Sequence, residues 1–261
     1  MANCSYIINS IETPLTCGDP VPAPIDGWTE GPESVSVKAV DKVGLQSIDS
    51  VNFTIDTTVP AINFSFPANG IYTNDTQLSV IYFVTSPNTL DSCKYKIDNG
   101  NEIQLANCQT QISTQVWSDG VHSVTITSLD DLGNEGSNTI SFTIDKTNPL
   151  VTIDQSKNNW ITNQDTFGIS YDIQETNKNS CSYKINDNGV DGTINSLSIC
   201  NVPIPVQVWS EGNKTVTIYA EDKAGNNGDD SINFIIDTIN PVISISSPQN
   251  NFKTNNTSIN V

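Results

Sequence analysis

Residues 209–241 read WSEGNKTVTIYAEDKAGNNGDDSINFIIDTINP: a tryptophan, a tight turn, an alternating strand, Asp-x-x-Gly, a second alternating strand, then Ile-Asp-Thr and a proline. The same phrase runs from Trp28 to Pro60 and from Trp117 to Pro149, so its tryptophans stand 89 and then 92 residues apart. In the middle copy Val124, Ile126 and Ser128 share one face of a strand, and Thr125, Thr127 and Leu129 share the other. A fixed period of that length means tandem domains, each the size of one β-sandwich. Function therefore belongs to an array and not to one site.

Outward from the middle copy, strands are expected at Ala61 to Phe66, Gln77 to Val84, Cys93 to Ile97, Ile103 to Cys108, Ile112 to Trp117, Ser123 to Leu129 and Thr139 to Ile144. Turn signals at Asn69-Gly70, Asn99-Gly100, Asp119-Gly120 and Gly133-Asn134 separate them, giving about seven strands and no helix. The third unit repeats this from Val151 through Ile236, with Cys181, Cys200, Trp209 and Asp222 in the places of Cys93, Cys108, Trp117 and Asp130. The expected division is a partial domain over 1–58 lacking its first two strands, complete domains over 59–147 and 148–239, and a first strand with the start of a second over 240–261. Head and tail are then nearly complementary halves of one domain.

The formal net charge of −18 repels phosphate backbones and anionic lipid surfaces, which argues against a nucleic-acid partner. At 36% hydrophobic and 15% charged residues the chain is too apolar and too regular to be disordered. No apolar run is long enough to span a bilayer, so no membrane insertion is expected within this chain. Met1-Ala2-Asn3-Cys4 lacks the basic and apolar regions of a signal peptide, and a secretion signal or anchor is expected outside these residues.

Six cysteines fall one pair per unit: Cys4 and Cys17, Cys93 and Cys108, Cys181 and Cys200. Each pair brackets a turn signal, so a hairpin folded there is expected to bring its two cysteines to facing positions within disulfide reach. A zinc site fits poorly, because two cysteines per unit have no His-rich setting. Disulfides imply an oxidising compartment.

For catalysis there is little. His122 sits where the other units have Glu33 and Lys214, which reads as a solvated turn position accepting any polar side chain. No Gly-x-Ser-x-Gly elbow, phosphate loop or His-Glu-x-x-His is present, and Asp130-Asp131 and Asp229-Asp230 lie in or beside turns that Asp favours. Trp28, Trp117 and Trp209 read as core plugs at the end of a sandwich. Trp160 follows Asn158-Asn159 in a turn, and is the one aromatic residue considered for contact with a ligand. Sequons at Asn3, Asn52, Asn63, Asn74, Asn213, Asn255 and Asn256 permit glycosylation without showing it.

Acidic residues collect where one unit meets the next. The last strand of one sandwich ends at the pole where the following one begins, so Asp56 is expected near Asp130 and Asp131, and Asp145 near Asp222. Asp91 joins the first group and Glu175 the second. Two readings stay open: oxygen ligands converging on calcium, or aspartates that each support their own turn or linker. No other cofactor is expected.

Tyr219-Ala220-Glu221-Asp222-Lys223-Ala224-Gly225-Asn226, followed by Ile236-Asp237-Thr238-Ile239-Asn240-Pro241, resembles the bacterial and archaeal immunoglobulin-like repeats of large cell-surface proteins. The resemblance covers the whole chain and implies an all-β fold of tandem immunoglobulin-like sandwiches outside the cell. The first unit departs from it, with Asp41-Lys42-Val43-Gly44-Leu45 where the third has Gly-Asn. Such repeats serve as stalks, adhesins and spacers alike, so fold does not select function. The leading expectation is a stalk or filament segment whose partners are neighbouring repeats or other copies of itself, with Pro60, Pro149 and Pro241 restricting each junction. The alternative is an adhesin or carbohydrate-binding segment meeting a glycan or surface ligand through Ser86 to Asp91 and Asn177 to Ser180. A spacer in a secreted enzyme is the third reading. Under the filament reading, residues 240–261 are expected to complete the first unit of another copy by strand donation, head to tail.

Overall fold

The computed structural model describes residues 3–108 and 111–261. The chain divides into two compact units, Met1–Ile71 with Thr76–Thr143, and Tyr72–Asp75 with Ile144–Val261. Among the described residues the only helical element is a three-residue 3₁₀ turn, Gln155–Lys157, and everything else that is regular is strand.

In the first repeat β1 (Asn3–Ile8), β2 (Ile11–Leu15), β3 (Gly31–Val40) and β4 (Gln46–Ile55) form one antiparallel sheet in the order β2-β1-β3-β4. Alternation along β3 puts Glu33, Val35, Val37 and Ala39 on one face, where the register sets Phe53, Val51, Asp49 and Ser47 of β4 beside them. Among the described residues no second sheet covers this face.

The second repeat has both layers. Its strands are β5 (Ala61–Phe66), β6 (Tyr72–Thr73), β7 (Gln77–Thr85), β8 (Leu90–Ile97), β9 (Ile103–Gln104), β10 (Ile112–Val116), β11 (Gly120–Asp130) and β12 (Glu135–Ile144). β10-β7-β5 make one sheet, and β12-β11-β8-β9 belong to the other. Ile62, Leu78, Val80 and Val84 of the first are buried, as are Val124, Ile126, Ile140 and Phe142 of the second. Each such side chain stabilises the fold by about 1.5–3 kcal/mol relative to exposure. Trp117 closes one end: its indole N–H donates to the Leu78 carbonyl at 3.0 Å, and its ring meets Phe142 edge-on at 4.8 Å. The strand count exceeds seven through the short β6, and the strand expected to reach Cys108 stops at Gln104.

The third repeat follows the same plan in more pieces: β13 (Leu150–Ile153), β14 (Trp160–Thr162), β15 (Thr166–Ile169), β16 (Tyr171–Gln174), β17 (Lys178–Asp187), β18 (Val190–Asp191), β19 (Asn195–Ser196), β20 (Ile204–Val208), β21 (Gly212–Asp222) and β22 (Asn227–Ile236). The counterpart of β7 is divided into β15 and β16, paired with β20 and β13 respectively. β14 runs parallel to β22, Trp160 beside Phe234. Trp209 donates to the Phe167 carbonyl at 3.1 Å and meets Phe234 edge-on. Trp160 is half-buried with its ring 5.5 Å from Phe167, so it contributes to this core and is not a free contact aromatic. Trp28 is also half-buried, edge-on to Phe53 at 4.8 Å.

Disulfides join Cys4 to Cys17, Cys93 to Cys108 and Cys181 to Cys200, with Cα separations of 5.2, 5.0 and 5.9 Å. The cysteines of a pair are not facing ladder partners. Cys4 faces Leu15, and the Cys93 carbonyl accepts from Leu105 N, while Cys17, Cys108 and Cys200 lie in turns beyond the strand end. The chain doubles back after each short strand and delivers the second sulfur from the turn. Residues 242–261 form no strand; Val242 to Ser246, expected to be one, are exposed. Alternation is insufficient without a neighbour to complete the ladder.

Candidate functional site

Three hairpin tips are built identically from Asp-x-x-Gly. Asp41 Oδ1 accepts from the N–H groups of Val43 and Leu45, both at 2.9 Å. Asp130 does so from Leu132 and Asn134 at 3.0 and 2.8 Å, and Asp222 from Ala224 and Asn226, both at 2.8 Å. The glycine at each tip takes a left-handed φ near that of a turn closer, 89° at Gly44, 90° at Gly133 and 87° at Gly225. One carboxylate oxygen is thus consumed by the turn itself.

In the second and third repeats the other oxygen does more. Asn134 Nδ2 donates to Asp130 Oδ2 at 3.0 Å and to the Asp56 carbonyl at 3.2 Å, reaching back to the linker that precedes the repeat. Asn226 Nδ2 likewise donates to Asp222 Oδ2 at 2.7 Å and to the Asp145 carbonyl at 2.8 Å. A second amide reaches each linker carboxylate: Asn88 to Asp56 Oδ2 at 2.5 Å, and Asn177 to Asp145 Oδ2 at 3.2 Å. Asn88 also donates to Asp130 Oδ2 at 3.2 Å. The linker then runs flush against a glycine: a Cβ placed on Gly136 or Gly228 would stand 1.9 Å from the carbonyl oxygen of Pro60 or Pro149. Each hairpin with its Asn and Gly is a socket for the linker ahead of it.

The linkers are shaped to match. Asp56 and Asp145 each accept from the N–H two residues on, Thr58 at 2.8 Å and Thr147 at 3.1 Å. The first linker is also tied to the repeat it leaves, because Glu30 Oε2 accepts from Thr57 N at 2.9 Å and Thr57 Oγ1 at 2.6 Å. Thr58 N–H, with Asn88 and Thr58 side-chain donors, holds the Asp56 carboxyl below the usual carboxylate range. Burial pushes Asp130 up, but the donors from Asn134, Asn88 and Leu132 outweigh it and hold the group low.

Of the carboxylates expected at the junctions, Asp56 comes together with Asp130, and Asp145 with Asp222, each pair bridged by an asparagine amide. Asp91 is exposed; Asp131 meets Thr89 through its backbone N–H; and Glu175 caps Asn177 N at 2.7 Å. Among the described residues no group of three or more acidic, histidine or cysteine side chains is gathered to hold a metal ion. Sequence reasoning misses Asn88, Asn134, Asn177 and Asn226 as site residues, although the Gly-Asn dipeptides at 133–134 and 225–226 are visible in it. Asn88 and Asn177 fall in the two loops expected to serve an adhesin.

No protein-family model matches the chain, and no curated protein matches it. Solved structures are similar at low identity. Three N-terminal domains of the bacteriophage RB49 Highly Immunogenic Outer Capsid protein share 10% identity over 92% of this chain and 89% of that one, with a TM-score of 0.45. The fibronectin(III)-like modules of Clostridium thermocellum CbhA share 12% over 67% of this chain and 94% of that one, at 0.37. A 1.5-MDa bacterial ice-binding adhesin shares 14% over 90% and 87%, also at 0.37. The chain's own sheet order and plugged tryptophans make it an array of immunoglobulin-like sandwiches.

A buried polar side chain stands five residues after each tryptophan of the repeated phrase: Glu33, His122 and Lys214. His122 is not solvated: it is 8% exposed, with Nδ1 2.8 Å from Asp98 Oδ2 and Nε2 2.9 Å from the Ser118 carbonyl. Ser118 Oγ stands 3.4 Å from Nε2, which superficially suggests a nucleophile, a base and an acid. The third repeat shows what the arrangement is for. Lys214, buried, donates to Asp187 Oδ1 at 2.6 Å and to the Glu211 carbonyl at 3.1 Å, and Ser210 donates to the same Asp187 at 2.6 Å. In the first repeat buried Glu33 accepts from Thr29 N at 3.1 Å and from the Thr29 hydroxyl. Three different side chains do one structural task, tying the turn after the tryptophan to the sheet.

Proposed function

We propose that the chain is a structural segment of an extracellular stalk or filament, a disulfide-stapled array whose linkers are clamped and whose partners are neighbouring repeats or other copies of itself. One observation carries the reading: the linkers at Asp56 and Asp145 are each received by the following repeat through the same asparagine and glycine. A recurring clamp on a recurring linker suits a spacer that bears tension. The three disulfides suit an oxidising exterior. The clamp is built with amides, because Asn88, Asn134 and Asn226 turn N–H donors toward the carboxylates. Surface labelling of intact cells with a membrane-impermeant reagent, followed by electron microscopy of the purified material, tests the role. Labelled chains seen as beaded rods, one bead per repeat, are expected; a chain found only inside the cell with free thiols overturns it.

The strand-donated version of the filament is supported by Val37 and Val51, exposed on the uncovered face of the first repeat, and by Val242, Ile243 and Ile245, exposed in the tail. A second reading, adhesion, draws on Phe66, Ile81 and Phe83, exposed on the paired strands β5 and β7. A glycan array with the chain and its Phe83→Ser variant checks it: binding lost in the variant supports adhesion, and no binding by either sets it aside.

A further inference from the structure

Asp237 to Pro241 is a third copy of the linker. Asp237 Oδ1 accepts from Ile239 N at 3.2 Å, as Asp56 does from Thr58 and Asp145 from Thr147. Thr238 is tied to Glu211 through N at 2.9 Å and Oγ1 at 2.7 Å, the contact that Thr57 makes with Glu30. The segment is therefore already folded as a plug. Pro60 and Pro149 are buried by their sockets, whereas Pro241 and every residue from Asp237 onward to it are exposed.

Two features make a socket: the asparagine whose Nδ2 bridges hairpin and linker, and the glycine two residues later that lets the proline carbonyl approach. The first repeat folds the same Asp-x-x-Gly turn but carries Leu45 where the others have Asn134 and Asn226, and Ser47 where they have Gly136 and Gly228. A leucine side chain has no N–H to give a carbonyl and carboxylate. A Cβ at the glycine position occupies the space of the incoming carbonyl oxygen.

Resting on the array reading above, we propose that the plug Asp237 to Pro241 docks on a repeat presenting Asp-x-x-Gly-Asn-x-Gly, and that Leu45 and Ser47 bar the first repeat from receiving it. The three linkers share the aspartate and, four residues later, the proline; selectivity lies in the socket. A tail donated between copies in the register seen at Pro60 and Pro149 meets this bar, even though the apolar face beside it is open.

Light scattering on the full chain tests the bar. The native chain is expected to stay monomeric as concentration rises, while L45N/S47G associates into dimers and larger species that return to monomers when 240–261 is also deleted. A native chain that polymerises through 240–261, or an L45N/S47G chain that remains monomeric, overturns the proposal. The converse variant, N226L/G228S, gives an internal readout by hydrogen exchange. Amides from Asp145 to Leu150 are expected to exchange about tenfold faster or more, as for loss of one or two hydrogen bonds, while Val216 and Ile218 in the core keep native protection and report that the repeat is folded. Unchanged exchange at the linker defeats the socket whatever cell-surface labelling says, so the two readings fail separately.

Discussion

The first and third repeats carry the same face in two conditions. Val35, Val37, Val51 and Phe53 align with Val216, Ile218, Ile232 and Phe234, strand for strand and register for register. In the third repeat Val216, Ile218 and Ile232 are 0% exposed; in the first, Val37 is 37% and Val51 57% exposed. Hairpin, tryptophan and disulfide are present in both. Alternation writes an apolar face, and only an opposing sheet converts that face into a core.

Truncating the aligned phenylalanines is the harshest test of that contrast. Phe234→Ala is expected to cost about 3–5 kcal/mol by urea unfolding, and Phe53→Ala no more than about 1–2 kcal/mol, because a half-covered ring leaves no closed cavity. Equal losses would mean that the first face is covered in solution. Removing a disulfide comes next: Cys181→Ser with Cys200→Ser should cost about 3 kcal/mol. The same change at Cys4 and Cys17 should show instead as rapid proteolysis of residues 3–55, where there is less core to hold the sheet.

A smaller effect is expected at the buried polar position that follows each tryptophan. Lys214→Met should destabilise the third repeat by about 1 kcal/mol, since Asp187 remains near enough to water to be solvated. Hydrogen bonds from Lys214 and Ser210 hold Asp187 below the usual carboxylate range. At Asp98 burial pushes upward, but His122 and the Ser123 N–H pull further down. A lowered folded-state value stabilises above the ordinary carboxylate range and is lost as pH falls through it. Acid unfolding should therefore be less steep in Asp187→Asn, and a profile parallel to the native one would remove this carboxylate from the account. The smallest expected effect is zero: calcium followed by chelator should leave the melting temperature unmoved, and a rise that reverses on chelation would restore metal to Asp56, Asp130, Asp145 and Asp222.

Period, strands and turns were legible because each is written within a few residues. Val124 and Ile126 alternate with polar neighbours, and Asp222 closes its own turn with Asn226 four positions away. The roles of His122, Glu33 and Lys214 were not legible, since three unlike side chains at one place read as tolerance; the fold shows a buried position where each finds a different partner. Nor were the cysteine placements, which depend on where the chain turns after β2, β9 and β19. The tail has the alternation of β5 but no strand, because a ladder needs a neighbour that alternation cannot supply. By itself the sequence determined the repeat, the apolar faces and the hairpins, all properties of short-range periodicity. Tertiary structure alone decided that Asn226 meets a linker carbonyl 81 residues away and that Gly228 must have no side chain, because such contacts exist only once separate segments have docked.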